Sequence, residues 1–185
     1  MLNRFNFFRE AVKSLSTSGT VTPSSRFLAK RMISKIDFSN TNVIVELGAG
    51  NGVITKQILR KLNPNATLVC FEINDNFYKE LLKIKNPQLI LLKTSAEKIE
   101  EELEKLDFSE ANHIISSLPL TIIPDEVSSE ILKKSHKVLS PKGTFIQYQY
   151  SLTYFKKLSK VFSEEIKLEF EPLNFPPAFV YRCIK

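Results

Sequence analysis

The sequence has no tryptophan, two cysteines and two histidines, so it offers few residues for a disulfide framework or a metal centre. Cys70 and Cys183 fall in apolar segments without metal-ligand spacing, and we expect both to be buried, reduced thiols. No run of about eighteen apolar residues occurs, and the N-terminus lacks the continuous apolar stretch of a secretory signal. We therefore expect a cytoplasmic protein with no membrane span and no metal.

Excess positive charge is confined to one part of the chain. The net charge is +6, and residues 1–35 carry seven Lys and Arg side chains but a single acid, Glu10. The remaining residues are balanced in charge. A localised basic segment indicates an anionic partner, either a nucleic acid or an acidic lipid surface. The length of 185 residues and the 43% hydrophobic content predict one domain, residues 1–185, with a packed core.

Glycine is also scarce: the chain has five, and three of them, Gly48, Gly50 and Gly52, lie in one short loop with Ala49 and Asn51. An apolar run of residues 43–47 precedes the loop, and apolar residues at helical spacing follow it. Glycine adopts positive φ without strain and lets a ligand approach the backbone closely. The pattern predicts a buried strand, a ligand-binding loop and a helix that begins at the ligand.

Two acidic residues accompany this loop. Glu46 ends the first strand, and Glu72 follows a second apolar run, residues 67–71, where an acid would accept hydrogen bonds from ribose hydroxyls. Nicotinamide-binding proteins use a related glycine loop, with the third glycine one residue later. The combination E-x-G-x-G-x-G resembles motif I of the class I S-adenosylmethionine-dependent methyltransferases.

That resemblance implies S-adenosylmethionine as cofactor and a Rossmann-like α/β fold, with a seven-stranded sheet in the order 3-2-1-4-5-7-6 and strand 7 antiparallel. Glu46 would lie near the amino acid part of the cofactor, Glu72 at the ribose and Ile73 against the adenine. Ser95 stands where the family has an aspartate for the adenine amino group. The predicted cofactor-binding residues are Glu46, Gly48, Ala49, Gly50, Asn51, Gly52, Glu72, Ile73, Ser95, Ala96 and Ser116.

Three further segments resemble a narrower family, the bacterial phospholipid N-methyltransferases, which methylate phosphatidylethanolamine and related amino lipids. Residues 18–29 resemble their G-x-x-x-P-S-S-x-x-L-A signature, residues 116–120 their S-G-L-P-L loop and residues 174–181 their N-x-P-P-A-x-V-Y segment. Ser117 departs from the glycine of that loop. Ornithine-lipid N-methyltransferases look similar. The resemblance implies methyl transfer to the amine of a lipid headgroup.

The N-terminal segment predicts two helices. Residues 2–15 place aromatic and aliphatic side chains on one helical stripe flanked by basic residues, which is typical of an amphipathic helix in a membrane interface. The alternative is a helix whose aromatic face packs on the domain. A second helix is predicted with Thr22 as N-cap and Pro23 as its first residue. We assign residues 1–36 to membrane docking and substrate covering, and residues 37–185 to the catalytic core. The predicted apolar faces are Phe5, Phe8, Val12 and Leu15 in the first helix and Phe27, Leu28, Met32 and Ile36 in the second.

The rest of the chain alternates between strand and helix patterns, as an α/β sheet requires. Helices are predicted at 74–85, 97–106 and 124–138, with a short one through Phe155 and Leu158. Strands are predicted at 89–92, 112–115, 144–150, 166–170 and 178–184, with a turn at 140–143 before the strand at 144–150.

Methyl transfer from a sulfonium to an amine requires alignment and exclusion of water more than a dedicated acid or base, and the sequence contains no convincing catalytic triad. We expect the loop at 116–120 to orient the acceptor nitrogen. Tyrosine rings could face a methylated ammonium, although strand packing explains them equally well. The predicted acceptor-side residues are Ser116, Leu118, Pro119, Tyr148, Tyr150 and Tyr181.

The prediction is therefore an enzyme that transfers methyl groups from S-adenosylmethionine to a membrane lipid amine, such as that of phosphatidylethanolamine or ornithine lipid. We expect a monomer, peripheral on the inner face of an anionic membrane, with no nucleic acid partner. One alternative is an RNA adenine N6-methyltransferase. Those enzymes stack an aromatic ring of their N-L-P-Y loop on the base, whereas this chain has Leu120 there. A second alternative is a non-catalytic, membrane-associated module that binds the cofactor.

Overall fold

The structure, a computed structural model, describes residues 25–162 and 165–185. These residues form six α-helices, seven β-strands and two short 3-10 helices, Phe38–Asn40 and Ala96–Lys98. The α-helices are α1 (Arg26–Ile33), α2 (Val53–Leu59), α3 (Asp75–Leu81), α4 (Ile99–Lys105), α5 (Asp125–Val138) and α6 (Phe155–Val161). The strands are β1 (Val43–Leu47), β2 (Thr67–Phe71), β3 (Leu89–Leu92), β4 (Ala111–Ser116), β5 (Leu139–Gln149), β6 (Glu165–Glu171) and β7 (Ala178–Ile184).

All seven strands belong to one sheet, with the order β3-β2-β1-β4-β5-β7-β6. Strands β1 to β5 are parallel, and β7 runs antiparallel between β5 and β6. The strand order and the antiparallel β7 confirm the predicted fold. The five parallel strands end at one edge of the sheet, which we call the carboxyl edge. Ligands of open α/β sheets bind there.

Both faces of the sheet are covered, because each parallel strand is followed by a segment that returns across one face. On one face, Val45 and Leu47 of β1 pack with apolar residues of α4, α5 and α6. On the other face, Ile44 packs with residues of α1, α2 and α3. Every side chain of β1 is buried, which explains why its sequence is a continuous apolar run interrupted only by Glu46.

Helix α1 is an integral part of the second face. Leu28, Ala29, Met32 and Ile33 are at most 1% exposed. The N-cap is Ser25, whose Oγ accepts a hydrogen bond from the amide of Leu28 at 3.1 Å. The prediction that this helix begins at Pro23 was wrong, because the hydroxyl of Ser25 caps the helix at Arg26.

Several predictions concern N-terminal residues that the structure does not describe. Thr22, Pro23 and the predicted helix at 2–15 lie outside the described residues. Of the predicted apolar face of α1, Phe27 is 37% exposed, whereas Ile36 is buried beyond the end of the helix. In the part of the chain that the structure describes, no helix is long and apolar enough to cross a bilayer.

Two predicted boundaries in the core differ from the structure by more than two residues. The helix expected at 74–85 ends at Leu81, and Leu82 is 49% exposed. Strand β5 begins at Leu139, so it includes residues 140–143, which were expected to form a turn. Lys142 has the left-handed φ of 63° that a turn would need, but its amide donates to the carbonyl of Lys185 and continues the pairing. Cys70 and Cys183 are free, buried thiols, as expected.

Candidate functional site

Glu46 lies at the carboxyl edge as the penultimate residue of β1, and its side chain is completely buried. Its Oε2 accepts hydrogen bonds from Oγ1 of Thr55 at 2.7 Å and from Sγ of Cys70 at 3.2 Å. Its Oε1 has no partner among the described residues. A buried carboxylate oxygen without a donor costs free energy, so this atom is a candidate contact for a cationic ligand group.

Burial raises the pKa of Glu46 to about 7. The hydrogen bonds from Thr55 and Cys70 act against this shift, and the negative charge of Glu72 adds to it. The carboxyl group is therefore partly protonated near neutral pH. A ligand ammonium beside Oε1 would favour the ionised form and lower the pKa again.

The glycine loop follows Glu46 directly. Gly48, Gly50 and Gly52 have φ values of 74°, 56° and 76°, as the sequence pattern predicted. A Cβ added at Gly48 would lie 2.8 Å from Cδ2 of Leu118, and one added at Gly52 would lie 2.9 Å from Cδ2 of Leu81. A Cβ at Gly50 would meet no atom within 4 Å. The ends of the loop are thus packed against neighbours, and its middle faces open space where a ligand can contact the backbone.

Glu72 holds the loop from the neighbouring strand. Its Oε2 accepts from the amide of Gly50 at 2.7 Å, and its Oε1 accepts from the amide of Asn74 at 2.7 Å. Burial raises the pKa of Glu72, and the backbone hydrogen bonds from Asn74 and Gly50 oppose that shift. Each carboxylate oxygen can accept a second hydrogen bond, so Glu72 keeps capacity for ribose hydroxyls.

The other predicted cofactor contacts lie around the ends of β2 and β3. Ile73 and Ala96 pack against the same hydrophobic cluster. Ser95 is buried, and its hydroxyl donates to Oε2 of Glu97 at 3.0 Å while capping the short helix at 96–98. Its contact with an adenine therefore stays a prediction. Ala49 is buried and Asn51 is exposed in the glycine loop.

The predicted acceptor loop follows β4 and touches the glycine loop. The amide of Ser117 donates to the carbonyl of Leu47 at 2.9 Å, and Leu118 packs over Gly48. Ser116 is buried, with its Oγ 3.4 Å from the amide of Leu118. Pro119 is half-buried and Leu120 is buried. The structure thus brings the two predicted loops into contact.

The three tyrosines are not brought together as one group. The rings of Tyr148 and Tyr150 contact edge to face, with centroids 5.7 Å apart, and Tyr150 is 43% exposed. Tyr181 pairs with Gln147 across β5 and β7, and lies on the opposite sheet face from Tyr148. Its hydroxyl donates to the carbonyl of Ser151 at 3.0 Å. One ligand ammonium could therefore face Tyr148 and Tyr150 but not all three rings.

Buried amides near the acceptor loop were missed from the sequence. Nε2 of Gln147 donates to the carbonyl of Leu118 at 3.0 Å, while its Oε1 has no partner in the described part of the chain. Nε2 of Gln149 and the hydroxyl of Tyr154 are likewise buried without a partner within that part. Two glutamines at alternate positions on one face of a core strand were the available signal. Thr55 and Cys70, the partners of Glu46, had no comparable signal.

These features define a class of protein. A strand-end carboxylate, three left-handed glycines and a second carboxylate directly after the neighbouring strand lie at the carboxyl edge of a sheet with the order 3-2-1-4-5-7-6. Such an arrangement is that of a Rossmann-like methyltransferase. The family model described as the methyltransferase small domain matches residues 6–170, and the chain belongs to this family.

Individual relatives agree with this assignment. An ornithine lipid N-methyltransferase from Singulisphaera acidiphila is 28% identical over 185 residues, which cover 99% of this chain and 96% of that protein. A precorrin-6y C5,15-methyltransferase from Geobacter metallireducens has a TM-score of 0.65 at 15% identity, covering 85% of this chain and 88% of that one. A 16S rRNA methyltransferase from T. thermophilus, solved with AdoMet and guanosine, has a TM-score of 0.66 at 18% identity, covering 89% and 43%. The structural likenesses concern the fold.

The chain is therefore an S-adenosylmethionine-dependent methyltransferase, as predicted. The site fits this cofactor, because Oε1 of Glu46 lacks a donor and the backbone at Gly50 faces open space. Among the residues that the structure covers, no cluster of three potential metal ligands occurs.

Proposed function

We propose that this enzyme transfers methyl groups from S-adenosylmethionine to the primary amine of a membrane lipid headgroup, such as that of phosphatidylethanolamine or ornithine lipid. The observation that carries the choice of substrate is similarity along nearly the whole chain to a protein named as an ornithine lipid N-methyltransferase. Similarity confined to the cofactor half would not favour any acceptor, because that half is common to many methyltransferases.

The methyl donor, S-adenosylmethionine, would be held by Glu46 and Glu72, and we call these residues and the glycine loop the donor side of the site. S-adenosylmethionine supplies a methyl group that its positively charged sulfur already activates. Oε1 of Glu46 would accept a hydrogen bond from the ammonium of the cofactor, and the two oxygens of Glu72 would accept from its ribose hydroxyls. Because Glu72 is already fixed by the amides of Gly50 and Asn74, it needs little reorganisation to do so.

The acceptor side would align the amine with the methyl carbon. The loop at 116–120 contacts the glycine loop through Leu118 and Gly48, so a nitrogen placed over it lies close to the bound cofactor. The amine must give up its proton to water before attack, because only the free lone pair is nucleophilic. We assign Ser116, Leu118 and Pro119 to orienting this nitrogen, and Tyr148 and Tyr150 to contacting its methylated products.

The same loop argues against an RNA adenine as acceptor. Leu120 is 1% exposed and belongs to the hydrophobic core, so this position offers no ring on which a flipped base could stack. A lipid amine needs no such ring, since its nitrogen is carried on a flexible headgroup at the membrane surface.

We also propose a peripheral position on the inner face of an anionic membrane. The excess positive charge lies in residues 1–35, and basic residues near an anionic surface contribute about 1 kcal/mol each. Residues 1–36 were assigned to docking, but α1 packs firmly into the core, so its role would come from exposed residues such as Lys30. Residues 37–185 remain our proposed catalytic core, within one domain spanning residues 1–185.

The test is an incubation of the full chain with methyl-labelled S-adenosylmethionine and extracted membrane lipids, with total RNA in a parallel reaction. Label should enter the organic phase, and mass spectrometry should identify mono-, di- or trimethylated amino lipids. The Glu46→Ala variant serves as the control for contaminating activity. Label found in RNA alone would refute the lipid assignment, and no transfer to either substrate would indicate a non-catalytic module.

A second variant tests the acceptor loop. Pro119→Ala should lower the turnover number more than it lowers cofactor affinity, because Pro119 shapes the acceptor side. Equal loss of both quantities would place Pro119 in the cofactor site instead.

A further inference from the structure

Large apolar side chains are exposed at one edge of the molecule. Ile122, Leu152, Phe155, Leu173 and Phe175 have exposed fractions of 54%, 48%, 41%, 61% and 87%, and Phe27 has 37%. These six residues, which we call the apolar rim, come from four separate segments of the chain. Contiguous exposed apolar surface usually marks an interaction site.

The register of the sheet places all four segments at the carboxyl edge. Ile122 lies in the connection after β4, and Leu152 and Phe155 follow the end of β5. Gln149 at the end of β5 pairs with Phe179 near the start of β7, so the loop between β6 and β7 lies at the same edge. Phe27 joins it, since the amide of Ser25 donates to Oδ1 of Asn174 in that loop.

The loop between β6 and β7 holds its apolar residues outward in a fixed conformation. The amide of Leu173 donates to Oε1 of Glu171 at 3.0 Å, and Nδ2 of Asn174 donates to the carbonyl of Pro176 at 2.7 Å. Glu171 is anchored in turn by Nε of Arg31 at 3.1 Å. The exposure of Leu173 and Phe175 is thus imposed by the polar residues between and beside them.

Basic side chains border the rim. The guanidinium of Arg26 lies 5.0 Å from the ring centroid of Phe27, Lys30 is exposed one turn further on, and Lys156 is exposed beside Phe155. Two nearby acids are already paired: Glu171 with Arg31, and Asp125 with Lys157 at 2.6 Å. The exposed side chains of Arg26, Lys30 and Lys156 therefore give this edge basic groups that favour an anionic surface.

We propose that the apolar rim and its basic border dock directly on an anionic bilayer, with the carboxyl edge facing the lipid. This inference rests on the proposed function and adds a second docking surface to the N-terminal segment. Ile122 lies two residues beyond Leu120, so the rim adjoins the acceptor loop. A lipid headgroup would then reach the loop at 116–120 without leaving the membrane, whereas a protein partner seated there would obstruct it.

The absence of tryptophan from the sequence allows a clean optical test. Phe175→Trp places a single reporter on the rim, and Leu82→Trp is its matched control, because Leu82 is 49% exposed beyond the end of α3 and outside the rim. Full-length variants are mixed with vesicles of equal parts phosphatidylglycerol and phosphatidylcholine, some containing brominated lipid. The rim reporter should shift to shorter wavelength and be quenched by bromine, and the control should change little.

Binding is then measured by vesicle sedimentation. Leu173→Ser combined with Phe175→Ser should weaken binding about ten-fold, because two large apolar side chains no longer enter the interface. Leu82→Ser combined with Leu168→Ser is the control, since Leu168 is 44% exposed on β6. Both double variants must retain the melting temperature of the parent. Binding by the rim variant equal to the control would overturn the proposal.

Other occupants give different results. If acrylamide fails to quench the rim reporter without vesicles, another part of the chain or a second copy already covers the rim, and the proposal is wrong. Sedimentation equilibrium of the same sample separates these two cases. A response of equal size from the Leu82 reporter would also overturn it.

Failure of docking and failure of the proposed function are distinguishable. On a water-soluble, short-chain amino lipid, the rim double variant should methylate as fast as the parent, while its rate on vesicles falls with binding. Bromine quenching at position 175 without methylation of any lipid would support the rim and refute the proposed function. Rapid methylation of vesicle lipids by the rim double variant would support the proposed function and refute docking through the rim.

Discussion

The proposed donor side and the proposed acceptor side of this site are built in opposite ways. The donor side uses buried polar atoms: Glu46 is fully buried, and Glu72 is fixed by two backbone amides. The acceptor side adjoins exposed apolar residues, of which Phe175 is the most exposed at 87%. A cofactor of constant shape permits a preformed polar site, whereas the acceptor that we propose, a lipid presented by a bilayer, permits recognition by a surface. The two sides touch where Leu118 covers Gly48.

The largest expected effect concerns the stability cost of the donor side. Glu46→Gln should stabilise the ligand-free protein above neutral pH, by on the order of 3 kcal/mol, because the native carboxyl has its pKa raised from 4.5 to about 7. The folded state binds the proton of Glu46 more tightly than the unfolded state does. The parent protein therefore loses this stabilisation as the pH rises from 4.5 to about 7. Denaturant unfolding across this range, compared between parent and variant, measures it.

The same variant should bind S-adenosylmethionine more weakly, although it is more stable. In the parent, cofactor binding near pH 6.5 should release a proton, since the cofactor ammonium favours the ionised carboxylate. Calorimetry in buffers of different ionisation enthalpy detects the release, and Glu46→Gln should abolish it. A variant that is less stable than the parent at pH 8 would contradict this account of Glu46.

The second effect tests the proposed ribose contact of Glu72 on the donor side. Glu72→Ala should weaken cofactor binding by about 1.5–3 kcal/mol, because charged hydrogen bonds are lost and the amide of Gly50 loses its acceptor. Titration calorimetry gives the affinity directly. Glu104→Ala, an exposed acid on α4, is the control. Unchanged affinity in Glu72→Ala would remove this residue from the site.

A third effect tests the contact between the two sides. Gly48→Ala should destabilise the fold by about 1–2 kcal/mol through its φ of 74°, with further cost from the Cβ that would lie 2.8 Å from Leu118. Leu118→Ala removes the obstruction but not the backbone strain. A double-mutant cycle should therefore show coupling above about 0.5 kcal/mol. Purely additive changes in the free energy of unfolding would mean that the two loops are not energetically coupled.

The smallest expected effect separates the tyrosines of the acceptor side. Tyr150→Leu should raise the KM for the lipid a few-fold, as an exposed cation–π contact contributes about 0.5–1 kcal/mol. Tyr181→Phe should leave KM unchanged and lower stability by about 1 kcal/mol, because only the hydrogen bond to Ser151 is lost. An effect of Tyr181→Phe on KM without loss of stability would reverse these assignments.

The fold was predictable where local patterns and the family pattern agree. The bounds of β1, β3 and β7 match those expected from apolar runs between polar or turn residues. The start of β5 was missed because Pro141 and Gly143 indicate a turn, whereas pairing with Lys185 extends the strand. The helix after β2 was drawn too long because Leu82 and Ile84 continue its apolar pattern, although Leu82 points to solvent.

The placement of candidate site residues was predictable where it depends on backbone conformation and chain position, as for Gly50 and Glu72. Residues that act across strands were not. Thr55 approaches Glu46 only because α2 packs beside β1, and Tyr181 faces away from Tyr148 only because of the register of β7 with β5. The apolar rim could not be predicted from the sequence for the same reason, because its residues lie at one edge only once the sheet has formed.

The anchoring of α1 has a consequence for the order in which the chain can fold during synthesis. Arg182 donates to the carbonyl of Met32, and Asn174 accepts from the amide of Ser25, across separations of 150 and 149 residues. At translation rates of about 5–20 residues per second, these two partners emerge roughly 8–30 s after the helix itself. The apolar face of α1 can therefore pack on β1 and α2 early in synthesis, whereas the hydrogen bonds that tie the helix to β7 and to the loop before it can form only after those segments have been made.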